Sequence, residues 1–131
     1  MKKLLTVLFA GIMLAACNSD QKKMEALKSE TDAIHDAAMK DLADMNRVAR
    51  AMKGMMISDS TMSAEKKAEF EQSLIAIGEA ENNMTNWMMS YKVPETPSEA
   101  VQFLEEKKTT ILANQQEIKT AMENGRKLLG N

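Results

Sequence analysis

Three stretches of this chain repeat apolar residues in alternating steps of three and four, separated by two short runs of turn chemistry. That spacing keeps one stripe of an α-helix apolar and leaves the chain few other folds. The first stretch is Met24, Leu27, Thr31, Ile34, Ala38, Leu42, Met45, Val48 and Met52, uninterrupted until Gly54, which reads as a C-cap. It predicts a helix over about 24–53, a rod of roughly 45 Å. Ser58, Asp59, Ser60 and Thr61 then supply turn and N-cap groups. The second stretch, Phe70, Leu74, Ile77, Glu81, Met84, Met88 and Tyr91, predicts a helix over about 63–91. Gly78 inside it weakens the helix by up to about 1 kcal/mol relative to alanine, which points to a close backbone approach. Val93-Pro94-Glu95-Thr96-Pro97 ends that helix and starts another. Thr96 to Glu99 has capping-box spacing, with proline at the first helical position. The third stretch, Val101, Leu104, Lys108, Ile111, Gln115, Ile118 and Met122, closes on Leu128 and Leu129, a helix over about 97–128. Long helices joined by short loops predict an all-α fold, an antiparallel up-down-up three-helix bundle of coiled-coil type over 24–131.

What precedes the bundle has a different composition. Met1-Lys2-Lys3 is a charged start, Leu4 to Ile12 an apolar centre, and Leu14-Ala15-Ala16 a small-residue exit. The apolar run falls short of the roughly 20 residues of a membrane-spanning helix. Its last residues and the chain's one cysteine, Leu14-Ala15-Ala16-Cys17, resemble the lipobox of bacterial lipoproteins, in which the cysteine is lipidated and becomes the mature N-terminus. The expected division is therefore a lipoprotein signal peptide over 1–16, a lipidated tether over 17–23 and the bundle beyond. A lone cysteine makes no disulfide within a monomer, so packing alone must hold the fold. Asn18 is not the aspartate that retains some lipoproteins at the inner membrane. The resemblance thus implies an envelope location at the outer membrane, facing the periplasm.

Removal of the signal takes Lys2 and Lys3 with it and leaves 15 basic residues against 19 acidic ones. That mildly acidic balance argues against nucleic acid and against a polybasic hold on anionic lipid. Eleven methionines remain, read first as flexible core filler. The chain has no Gly-rich phosphate loop, no Cys/His metal spacing and no Ser-His-Asp arrangement, and its one histidine, His35, excludes catalysis that needs two. The expectation is a non-enzymatic protein without a cofactor.

Two motifs, Ile34-His35-Asp36 … Met39 … Met45-Asn46-Arg47 and Asn86-Trp87-Met88-Met89-Ser90-Tyr91-Lys92, resemble a group of small lipoproteins of Gram-negative bacteria. Its members are uncharacterised or labelled "viral A-type inclusion protein". The resemblance covers the whole mature chain and implies a periplasm-facing helical lipoprotein.

Antiparallel pairing about loops centred near 58–59 and 94–95 sets Glu81 opposite Lys108, with His35 at the same height on the first helix. A polar layer of His35, Glu81 and Lys108 reads as a registry device, since sliding by one turn would strand a charge. The same arithmetic sets Trp87 near Glu30 as a large core contact. His35 and Met39, at i and i+4, with Met84 near their level, offer imidazole and thioether ligands suited to copper(I). Heptad methionines are usually core, however, and Lys108 would repel a cation at that height. At the tip far from the anchor, Met55, Met56 and Ile57 either cap the core or offer a protein partner an adaptable apolar surface. The leading expectation is a structural or protein-interaction module held to the membrane by lipid at Cys17. The alternative is a small metal- or ligand-binding periplasmic protein.

Overall fold

A computed structural model describes residues 2–130, with side chains described over 18–130. The Cys17 side chain and those of the expected signal peptide lie outside the described set. Three helices, α1 (Lys2–Ser58), α2 (Ala64–Met89) and α3 (Pro97–Leu129), pack against one another, with no strand among the described residues. The widest interface is between α1 and α3 and the narrowest between α1 and α2.

The helix ends follow local chemistry, with several departures from expectation. Residues 18–23, expected as a tether, belong to α1. Nothing in that polar run breaks a helix, and Lys23 reaches Glu105 on α3 at 2.7 Å. Gly54 does not end the helix. α1 runs on to Ser58, so that Met55 and Met56 pack against the core, and an exposed glycine costs too little to stop it. The Asp59 carboxylate then accepts from the Thr61 N–H and hydroxyl, which turns the chain. Ser63 caps α2 by accepting from the Lys66 N–H at 3.2 Å. Thr96 occupies the N-cap of α3 but makes no side-chain cap bond, so the expected capping box is not formed and Pro97 alone marks the start. Gly130, at φ 81°, ends α3 in the left-handed conformation.

The α1 and α3 seams match expectation through Ala38, Leu42, Met45, Val48 and Met52, and through Val101, Leu104, Ile111, Ile118 and Met122, all buried. On α2 the stripe takes the other available phase. Phe70, Ile77, Ala80, Met84 and Trp87 are buried, whereas Glu81 is exposed and Met88 is 38% exposed. Both phases share Ile77, Met84 and Tyr91 and alternate steps of three and four. The one adopted buries an indole and leaves a carboxylate in water, which is the cheaper choice.

The register of α3 departs from expectation too. Trp87 meets Lys107 and Thr110, and Asn83 meets Glu117, about one and a half to three turns further along α3 than a loop-centred pairing sets them. The non-helical segment between α2 and α3 carries the chain past the end of α2 before α3 begins. The early turns of α3 therefore lie against α1, where Lys23–Glu105, Lys108–Glu30 and Gln115–Asp41 pair along the edge.

Candidate functional site

The sequence spacing that builds the site is simple. Asp32 and His35 stand three apart on one face of α1, while Trp87 lies in the last turn of α2 and Tyr91, four residues on, just past its end. The two pairs meet. The His35 imidazole stacks on the Trp87 indole at 5.5 Å between centroids with 18° between planes. Tyr91 stacks against Trp87 at 4.6 Å and 19°, and Phe103 of α3 leans on Tyr91 at 6.1 Å. Offset stacks at these separations are favourable beyond the area they bury.

Polar tips fix the rings. The Trp87 Nε1–H donates to the Lys107 carbonyl at 3.0 Å and lies 3.1 Å from Thr110 Oγ1, tying α2 to α3. The Tyr91 hydroxyl donates to Asp32 Oδ1 at 3.0 Å, tying the segment after α2 to α1. The other oxygen of Asp32 accepts from Lys28 Nζ at 2.6 Å. Burial, and then the hydrogen bond to the Asp32 carboxylate, pushes the Tyr91 phenol up to about 12. Between α1 and α2 these side chains leave a cleft of about 280 Å³, lined by Asp32, His35, Trp87, Met88 and Tyr91.

Two polar atoms beside the cleft are unsatisfied. His35 Nε2 and Thr31 Oγ1, one turn apart on α1, are buried without a hydrogen-bond partner among the described residues. The other imidazole nitrogen, Nδ1, lies 3.5 Å from Asp36 Oδ1. Buried polar atoms are rarely left so, and each marks a place where another group belongs.

The residues expected to form one polar layer are dispersed. Glu81 points to solvent, and Lys108 pairs with Glu30 of α1, both side chains partly exposed. His35 faces Trp87 instead of either. Antiparallel arithmetic assumed a symmetric loop and the other phase of α2, and both assumptions fail here. Trp87 is a core contact, as expected, packed against His35 and tied to α3. Met84 is fully buried, and Met39 is half-buried against the core. At the tip, Met55 and Met56 pack on the core, and Ile57 is 86% exposed. Among the described residues no three His, Cys, Asp or Glu side chains gather as a metal site.

No family model matches the chain, and neither a curated protein nor a solved structure is found to be similar to it. Reading by heptads set Met88 in the buried seam and missed Asp32 and the Tyr91–Asp32 bond, because its pairing arithmetic took the other phase of α2. The usable signal was that the chain's one tryptophan and one tyrosine stand four apart.

Proposed function

We propose that this chain is a non-enzymatic envelope lipoprotein, anchored through lipid on Cys17 and related to the small helical lipoproteins that its two motifs resemble. In this reading residues 1–16 are a signal peptide, and the mature protein is an up-down-up bundle at the outer membrane, facing the periplasm. Its role is structural or protein-binding. The observation that carries the reading is Leu14-Ala15-Ala16-Cys17, set at the end of a short apolar run and ahead of the first heptad. Among the described residues no helix is long and apolar enough to cross a membrane. A lipid on Cys17 would supply the attachment. At the far tip Ile57, the most exposed large apolar side chain, is the position at which a protein partner would bind.

Labelling of cells with a radioactive fatty acid tests the anchor. The wild-type chain is expected to incorporate label and partition with membranes, and Cys17→Ser to do neither. Equal labelling of both overturns the reading.

A further inference from the structure

We propose that His35 and Met88 bind a soft monovalent metal ion, copper(I) or its closed-shell analogue silver(I), in the α1–α2 cleft. The inference is independent of the anchor and goes beyond a structural role.

The first support is the imidazole. Its Nε2 is buried without a partner, and its Nδ1 lies 3.5 Å from the Asp36 carboxylate. A carboxylate near one ring nitrogen is the kind of neighbour that orients metal-binding histidines, and it leaves Nε2 as the nitrogen without a partner. The second is sulfur. Met88 lines the same cleft and is 38% exposed, whereas Met39 and Met84, the thioethers expected at this level, are built into the core. Imidazole and thioether together select copper(I) or silver(I). Zinc needs more nitrogen, sulfur or carboxylate ligands than one histidine and these side chains assemble, whereas a soft d¹⁰ ion accepts fewer.

The third support is charge. Lys108, expected to repel a cation at this height, is held by Glu30. The Asp32 carboxylate lines the cleft, Asp36 stands beside the His35 ring, and Lys28 is already paired with Asp32. Finally, the near-parallel stack sets an ion bound in the imidazole plane alongside the Trp87 indole, whose face attracts cations. Binding involves no electron transfer, so silver(I) tests the site without redox chemistry.

The experiment titrates silver nitrate into the full chain in detergent micelles, in buffer free of chloride and thiols. It reads Trp87 fluorescence and the ¹⁵N resonance of His35 Nε2. The expected result is saturable quenching at one ion per chain, with a matching shift of the Nε2 resonance. His35→Gln abolishes that quenching, Met88→Leu weakens the binding, and Asp36→Asn weakens it by about tenfold. Cys17→Ser leaves the quenching unchanged, because the proposed site is built from His35 and Met88. An Nε2 resonance that stays put at saturating silver overturns the proposal and leaves a water as the partner of that nitrogen. So does quenching that survives His35→Gln, or that is lost only with Cys17→Ser. The resonance is read on the wild-type protein, so the test does not depend on any variant folding.

Discussion

Two glycines inside helices look alike in the sequence and differ in what surrounds them. A Cβ at Gly125 would come within 2.7 Å of Val48 Cγ1 and 3.1 Å of Met52 Sδ, whereas one at Gly78 would meet nothing within 4 Å. Val48 is β-branched and stiff, so it yields little. Gly125→Ala is therefore expected to destabilise by about 1–3 kcal/mol despite its better helix propensity. Gly78→Ala is expected to stabilise by up to about 1 kcal/mol. Chemical denaturation of both variants checks the pair, and a loss of stability at Gly78 would show an unseen approach there. Tyr91 gives a second residue-scale test. With its phenol raised to about 12 from an unfolded value near 10, the neutral form is favoured in the fold. Its contribution to stability is complete below pH 10 and is lost as pH rises through 12. Since this is the one tyrosine, ultraviolet absorbance should show tyrosinate appearing late, and Asp32→Asn should bring it forward.

At the scale of the element, α2 illustrates how a heptad leaves a choice. Ile77 and Met84 belong to both phases, so helicity was readable from them while the buried face was not. The residues between decide it: Ala80 and Trp87 lie inside, and Glu81 and Met88 turn outward. Ile77, 3% exposed, lies in the stripe either way, and Ile77→Asp should cost about 3 kcal/mol or more through a buried charge. Glu81 tests the phase itself. A double-mutant cycle for Glu81 and Lys108 is expected to show no coupling, and one for Glu30 and Lys108 less than about 1 kcal/mol, as for exposed pairs generally. Strong Glu81–Lys108 coupling would restore the other phase.

At the scale of the molecule, the bundle is held by an apolar seam edged with charge. Lys23–Glu105, Lys108–Glu30 and the Asp41 pairs run along the α1–α3 edge with partly exposed side chains. Raising salt to about 1 M screens such pairs and should shift the melting temperature by only a few degrees. Met45→Ala, at a fully buried position, should cost about 2–5 kcal/mol. Thermal melts followed by circular dichroism compare the two, and a salt effect matching the core substitution would mean that charge holds the register.

Three helices, the ends of α2 and α3 and most of the seam could be read from the sequence alone, because period, proline and capping residues act within a turn or two of themselves. Ala38 to Met52 and Leu104 to Met122 were legible for that reason. The pairing of α3 against α2, the phase of α2 and the meeting of His35, Trp87 and Tyr91 were not. Those depend on how far the segment after Met89 carries the chain before α3 begins, and on which side chains fit together across helices. A heptad fixes angle around an axis, but height along a neighbouring axis is settled only when the helices pack. Burying an indole while leaving Glu81 in water is a comparison between whole arrangements, and only the tertiary structure makes it.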